Sequence, residues 1–323
     1  MTSVTRATLL QTGLLMLGLA FGGNAAAYPD RPVKVVVAFA PGGIADQAVR
    51  AVADKLGAEL GQPVVIENRG GAGGNIAAAL VAKSPADGYT LLATTTSIAA
   101  NPALYRNTGY DIGKDFAPIV QLASSPNAIA ANPGVGVKTL QEAIEKSRGA
   151  KNSFGSPGNG STSHLTGEYL FNTLSKAGIA HVAYKGGALA VADALGGQTQ
   201  FVVVPVSVLA QHVKAGTLTP LAVTSRKRYA DWPQVPTVGE SGFPGYEDAT
   251  WVGVFAPAGT PADVVDQLNA RINAVLNQPD VQRRLDAVGL QGQGGSAADF
   301  GEYVGTEAAK WKKIVRQTGI EIE

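Results

Sequence analysis

Cysteine is absent from the 323 residues, which excludes disulfides and a lipid-modified cysteine alike. Histidine is nearly absent. His164, His181 and His212 are the only three, and none stands in H-E-x-x-H or any other metal-ligand spacing. No G-x-x-x-x-G-K-[ST] phosphate loop occurs, and Gly71-Ala-Gly73 lacks the last glycine of G-x-G-x-x-G. Gly158-Asn-Gly160-Ser161 does not match the G-x-S-x-G nucleophile elbow. A charge excess is missing too, with 26 basic against 25 acidic side chains. That balance gives no electrostatic case for nucleic acid or an anionic membrane as partner.

The one long apolar run, Ala7 to Phe21, is too short and too glycine-rich to span a bilayer comfortably. Arg6 precedes it and Ala25-Ala26-Ala27 follows, the pattern of a cleavable signal peptide over 1–27 with Tyr28 as the first mature residue. An uncleaved anchor fits the small-residue site less well. The expectation is a secreted, periplasmic protein. Cleavage leaves 296 residues and removes Arg6, so the mature chain balances 25 basic with 25 acidic side chains. A chain of that length makes two lobes or one large α/β domain. With 45% hydrophobic residues and 40 glycines it is globular and rich in tight turns.

What is present is organised around Phe39-Ala-Pro-Gly-Gly-Ile-Ala-Asp46. The apolar run Val33–Phe39, rich in β-branched residues, reads as a buried strand. Val49, Val52, Leu56 and Leu60 after it recur at helical spacing. Between them Pro41-Gly42-Gly43 lets a ligand approach the backbone, and the free N–H groups of the helix start favour an anion there. Read alone, the turn is a tight βα connection with Asp46 as cap and Arg50, one turn on, as its ion-pair partner. The unit then repeats. Val64–Glu67 is a strand, Asn68–Asn75 a glycine loop, and Ile76–Lys83 a helix. Thr90–Thr94 is the next strand, with a polar edge at Thr95-Thr96-Ser97. In a parallel sheet, Pro41–Ala45, Asn75, Thr96 and Ser97 would gather beyond the strand ends, where ligands bind.

Ile119–Ala130, broken by Ser124, Ser125 and Pro126, is expected to cross between lobes. Thr139-Leu-Gln-Glu142 is a capping box. A strand at Ser153 then enters a second loop, with Gly158, Gly160, Ser161 and Ser163 supplying hydroxyl donors beside backbone N–H groups. Leu165, Tyr169, Leu170 and Leu174 are expected to face inward from the helix after it. His164 is better read as fixing this loop than as a base, and His181 as a structural residue on a strand. Tyr184, beside Gly186, is expected to reach the cleft, and Lys185 to be solvated. Phe201–Val204 and Leu221–Thr224 are strands. The proline-rich stretch from Pro233 to Gly245 is expected to return the chain to the first lobe at Trp251. Thr260-Pro261 opens a helix to about Leu276; helices over 280–288 and 296–317 and a last strand at 320–322 complete the reading.

Several motifs in this order resemble one family: Pro41-Gly-Gly-x-x-Asp46 with Arg50, Glu67-Asn-Arg69 leading to Gly71-Ala-Gly-Gly74, and Asp87-Gly-Tyr-Thr-Leu91. Gly158-x-Gly-Ser161 with His164-Leu and Gly167-Glu168, His181-Val-x-Tyr184 with Gly186, Ala222-Val-Thr-Ser225 and Ala256-Pro-Ala-Gly-Thr-Pro261 continue the match. The chain resembles the Bug family of periplasmic solute receptors, the binding component of tripartite tricarboxylate transporters, over essentially all of its mature length. The resemblance implies an α/β, two-lobed periplasmic-binding-protein (Venus-flytrap) fold with a mixed, largely parallel sheet in each lobe. Two crossings of the chain let the two glycine turns face each other, which puts about 28–127 and 249–323 in lobe 1 and about 128–248 in lobe 2. The resemblance implies a monomer that is no enzyme, needs no cofactor or metal, and closes on a small carboxylate for delivery to the transporter's membrane subunits. A ligand-sensing receptor feeding a signalling system would use the same chemistry. The ligand residues expected on these grounds are Phe39, Pro41, Gly42, Gly43, Ala45, Asp46, Asn75, Thr96, Ser97, Gly160, Ser161, Ser163, His164, Tyr184, Gly186 and Val206. The family usually has proline where Gly70 and Ala183 stand. Where many members carry a polar or acidic residue, this chain has Val204-Pro205-Val206, an apolar wall with nothing to receive an ammonium group.

Overall fold

In a computed structural model that describes residues 28–318 and 320, the first βα unit forms as its pattern requires. Strand β1 (Val33–Val37) is the buried centre of a parallel trio with β2 (Val64–Asn68) and β3 (Thr90–Thr95). Helix α1 (Ile44–Leu60) buries Val49, Val52, Leu56 and Leu60 against that sheet and ends on Gly61 in the left-handed conformation. Helix α2 (Asn75–Ala82) follows the glycine loop. A further helix, α3 (Ser97–Leu104), opens where the sequence reading had only a polar edge; Pro102 inside it had masked the pattern.

Strand β4 (Phe116–Ala131) runs for 16 residues straight through the expected break. Its first part pairs antiparallel with β9 (Ala249–Pro257), and its last part pairs with β7 (Phe201–Pro205) and β8 (Thr219–Val223). Pro126, with no N–H to give, sits where β4 exchanges one set of partners for the other. The crossing between lobes is therefore inside a strand and not a loop. Between those elements lie α4 (Leu140–Ser147), β5 (Ser153–Ser156), α5 (Thr162–Gly167), β6 (Ala180–Ala183), α6 (Gly187–Leu195) and α7 (Val206–Lys214). Strands β5, β6 and β7 form a second parallel trio. The sheet is thus mixed, parallel in each outer trio and antiparallel where β4 and β9 run side by side.

The proline-rich stretch is not the return crossing. Trp232, Val235, Val238, Phe243 and Tyr246 pack onto the second lobe, and the chain crosses back only at Asp248–Thr250. Helices α8 (Ala262–Leu276) and α9 (Pro279–Ala287), strand β10 (Gln291–Gly294) and helix α10 (Ala297–Thr318) then cover the first lobe. The cap of α8 falls on Pro261, and the Thr260 hydroxyl donates instead to Pro257 O at 2.8 Å. A π-helical turn, Glu168–Leu174, continues α5 and leaves Leu174 43% exposed, so it does not face inward as its spacing suggested. The expected leader over 1–27, and a strand at 320–322 apart from Ile320, lie outside the described residues.

One core draws on 33–123 and 251–304, and two smaller ones on 128–238. A fourth cluster joins the lobes. There Leu165 of α5 packs against Ala100 and Leu104 of α3 and Trp311 and Val315 of α10.

Candidate functional site

The lobes meet along two glycine-lined seams. On one side Ala40 N donates to Lys185 O at 3.0 Å, while the Lys185 side chain stays exposed. On the other, Tyr105 donates through its hydroxyl to Asn159 O at 3.1 Å. There the glycines are obligatory. A Cβ on Gly73 would lie 2.2 Å from Asn159 O, and one on Gly160 would lie 2.0 Å from Asn101 Oδ1; both have positive φ.

Between the seams lies a narrow cavity of about 20 Å³, room for about one water, so a larger molecule fits only if the lobes move apart. Its walls come from strand ends and helix starts: Phe39, Gly43 and Ile44 at α1, Ser161, Thr162 and Ser163 at α5, Gly187 at α6, and Pro205 and Val208 at α7. Thr95, Pro157 and Thr250 complete it, and no charged side chain lines it. Gln47 N is the first in α1 to bond back, to Gly43 O, so the N–H groups of Ile44 and Ala45 have no protein acceptor. In α5, Leu165 N bonds to Ser161 O and His164 N to Ser161 Oγ at 3.1 Å, leaving Thr162 and Ser163 N–H free. Several helix dipoles thus turn their positive ends on one small space.

The hydroxyls behave differently from the sequence reading, which counted them as donors. Ser161 donates to Gly158 O at 2.8 Å, and Ser163 and Thr250 donate to Asn127 Oδ1 at 2.8 and 3.0 Å. With Thr250 donating to Asn127, the Thr162 hydroxyl donates to Thr250. Their protons are engaged by the protein, so the donors left for a ligand are backbone N–H groups.

Of the expected site residues, Phe39, Gly43, Ser161 and Ser163 line this cavity. Pro41 is exposed; Gly42 borders a neighbouring groove, and its N–H donates to Asp46 Oδ2 at 2.9 Å. Ala45 is buried in the first core. Asp46 sits behind the turn, held by Gly42, Asn68 and Arg50, the last at 2.9 Å. Burial pushes its pKa up, but the hydrogen bonds from Arg50, Gly42 and Asn68 outweigh it and hold the carboxyl below its ordinary value. Asn75 is engaged with Asn101 at 2.6 Å, Thr96 with Trp251 N at 3.1 Å, and Ser97 with Thr95 at 3.1 Å. Gly160 abuts Asn101, and Gly186 abuts Ala40. Val206 is buried in the second lobe's core. Tyr184 turns away from the cavity to Asp193, 2.7 Å off; burial and that carboxylate push its phenol up to about 12.

His164 fixes its loop, its Nδ1 accepting from Gly160 N at 3.2 Å, and it stacks on His181 with centroids 4.0 Å apart. With Glu168 the two histidines form the one trio among the described residues whose ligand atoms all approach within 4.8 Å. Spacing hid it, because His181 arrives from another strand. Ser156 Oγ already holds His181 Nε2 at 2.6 Å. Burial drives the two imidazoles down to about 4 and about 3, the second helped by the first, so they form a neutral structural pair.

Ile44 lies inside the expected turn Pro41–Ala45 and Pro205 inside the expected apolar wall, whereas Thr95, Pro157, Thr162, Gly187, Val208 and Thr250 went unpredicted. Thr162 and Gly187 adjoin predicted turns and were within reach of the same argument. Thr250 and Val208 carry no local signal, since tertiary packing alone brings them in.

Two lobes joined by paired strands, enclosing a small cavity walled by helix N-termini, define a solute-binding protein. The model of the tripartite tricarboxylate transporter family receptor (TctC) matches residues 48–320, and the chain belongs to that family. It is 34% identical to the protein BugT of Bordetella pertussis over 95% of each chain. The solved R. palustris Rpa4515 with adipate is 38% identical, with a TM-score of 0.87 over 91% of this chain and 99% of that one. The periplasmic binding protein BugD is 32% identical, with a TM-score of 0.87 over 92% and 100%. The family is one of transporter receptors, and BugD is a periplasmic binding protein. Among the described residues no helix is long and apolar enough to cross a membrane.

Proposed function

We propose that this protein is a periplasmic receptor that captures a small organic carboxylate between its lobes and delivers it, as a monomer, to a tripartite tricarboxylate-type membrane transporter. The observation that carries the reading is the cavity itself. Unpaired N–H groups at Ile44, Thr162 and Ser163 stand in the wall of a space that no charged side chain lines. Each charge-assisted hydrogen bond from such a donor stabilises by roughly 1.5–3 kcal/mol, and a helix end adds about 0.3–1 kcal/mol. The adipate held by the R. palustris relative supports the ligand class. The signal-peptide pattern over 1–27 and the periplasmic relative support the compartment. The separate cores support dividing the chain into 28–127 with 249–323 and 128–248.

The apolar wall of Phe39, Ile44, Pro157, Pro205 and Val208 favours acids with an apolar or aromatic remainder. An amino acid would bury its ammonium group unpaired, so amino acids rank below such acids, with citrate-like tricarboxylates second. A thermal-shift screen of the mature protein against carboxylates and their matching amides tests this. A ligand at a hundred times its Kd stabilises by about 2.7 kcal/mol. Amides that stabilise as well as their acids overturn the anion reading; an amino acid as best ligand overturns only the apolar-wall argument. Uptake of the identified acid by cells lacking the gene tests delivery.

A further inference from the structure

Away from the enclosed cavity, a groove of about 450 Å³ opens where α5 and its π-helical continuation approach α10. One wall is Tyr169, Leu174 and the turn 242–247 of the second lobe. The other is Lys310 and Ile314 of α10, which covers the first lobe. Leu165 and Trp311 belong both to the groove and to the cluster that joins the lobes, and both are buried. The groove is therefore continuous with the inter-lobe contact. Because its walls come from different lobes, it keeps this shape only while the lobes are closed.

The second-lobe wall puts apolar surface in water. The π-helical turn Glu168–Leu174 leaves Leu174 exposed at the groove, beside the exposed Pro244 and the half-buried Phe243. Turns of this kind are rare and recur at functional sites, and contiguous apolar surface left in water marks a place of interaction. The α10 side adds charge. Lys310-Trp-Lys-Lys-Ile-Val-Arg316 holds four cations and no acid, in a chain whose basic and acidic side chains nearly balance. Lys310 pairs with Glu307 at 3.0 Å, whereas Lys312, Lys313 and Arg316 are exposed and form no ion pair among the described residues. A partner suited to this surface brings an apolar side chain flanked by acids. Periplasmic loops of membrane proteins fit that demand, since their lysines and arginines gather on the cytoplasmic side.

We propose that this groove is where the closed, loaded receptor docks on its transporter, taking an apolar side chain from an acidic periplasmic loop of a membrane subunit. The inference rests on the transporter-receptor reading of the protein. Parting the lobes pulls the two walls away from each other, so an empty, open receptor loses the surface. The transporter thereby distinguishes loaded from empty without touching the solute.

The absence of cysteine makes a ligand-free test available, because a disulfide introduced across the seam locks the lobes shut. A Cβ on Gly42 would lie 3.3 Å from Ala188 Cβ, and one on Gly186 would lie 3.1 Å from Ala40 Cβ, close to the disulfide range of about 3.5–4.5 Å. Gly42→Cys with Ala188→Cys is the first lock, and Ala40→Cys with Gly186→Cys the second. Binding of each, oxidised and reduced, is measured by biolayer interferometry on nanodiscs holding the transporter's membrane subunits. The oxidised protein is expected to bind about tenfold tighter than the reduced one. In the oxidised protein Leu174→Glu should weaken binding about tenfold at an unchanged melting temperature. Lys313→Glu should weaken it less and reduce its dependence on salt. If Leu174→Glu binds as its parent does, the groove is overturned and the transporter reading stands. Equal binding by the oxidised and reduced forms of both locks overturns the dependence on closure. Empty nanodiscs of phosphatidylethanolamine and phosphatidylglycerol that bind as tightly assign the surface to lipid and overturn the protein partner. If neither lock binds the subunits in either state, the transporter reading falls and takes the docking surface with it.

Discussion

Gly160 and His181 show how much of this protein rests on single atoms. Gly160 leaves room for Asn101 Oδ1, which would lie 2.0 Å from a Cβ there, so it sets how closely the lobes approach. Gly160→Ala should leave the protein folded but weaken ligand binding by tenfold or more, because the second lobe cannot seat. Asn101→Ala in the same chain should recover part of the loss, though not the roughly 1–2 kcal/mol of left-handed strain. Calorimetry on the two variants decides this, and a single variant that binds as wild type does refutes the seam. The stacked histidines predict an acid limit. Their folded pKa values, about 4 and about 3, lie below the unfolded value of about 6.5. As pH falls below 6.5 the unfolded chain takes up protons that the folded chain refuses, so stability is lost from there down to about 4 for His164 and about 3 for His181. At about 1.4 kcal/mol per pKa unit, His164 alone accounts for roughly 3 kcal/mol. Melting temperature should fall over that window, and His181→Gln should flatten the slope.

At the scale of elements, the hinge is the pair β4 and β9, with a buried polar chain laid across it. Asn127 of β4 accepts from Ser163 and Thr250 and donates to Asp248 Oδ2 at 2.8 Å. Thr166 donates to the same oxygen at 2.7 Å. Through Ser163 and Thr250 this network reaches the cavity wall, so α5 and both crossing strands share one set of hydrogen bonds. Asp248 Oδ1 has no partner, and burial raises the pKa of the carboxyl despite its hydrogen bonds from Thr166 and Asn127. A carboxyl whose pKa is raised on folding costs nothing below its unfolded value and destabilises progressively as pH rises above it. Asp248→Asn removes that ionisation. Its melting temperature relative to wild type should therefore rise between pH 4 and pH 8, and a constant difference would show that Asp248 does not ionise at a cost.

For the whole molecule, the hydrogen bonds Ala40–Lys185 and Tyr105–Asn159 and the cluster around Leu165 hold the lobes together over a cavity too narrow to admit a ligand from outside. Binding then requires the lobes to part and close again, a hinge motion at β4 and β9. Small-angle scattering should show a smaller radius of gyration with saturating ligand than without it. Tyr105→Phe, which loses one of the two seam hydrogen bonds, should weaken binding severalfold without lowering the melting temperature of the free protein. Equal radii in both conditions would show that the lobes do not open in solution.

The alternation of strands and helices, both anion-favouring turns and the loop-fixing role of His164 were legible in the sequence, because each rests on local spacing: period two, period 3.6, and glycine at a helix start. Phe39, Gly43, Ser161 and Ser163 were found for the same reason. Tertiary structure decided the rest. It made β4 a continuous strand through Ser124-Ser125-Pro126, since its partners change there and the backbone does not. It brought Thr250 and Val208 to the cavity from distant segments, turned Tyr184 to Asp193, and spent the cavity hydroxyls on Asn127 and neighbouring groups. Local pattern states which face of an element is apolar and where its free N–H groups point. Which side chains meet across two lobes depends on how those lobes close, and no stretch of sequence carries that information by itself.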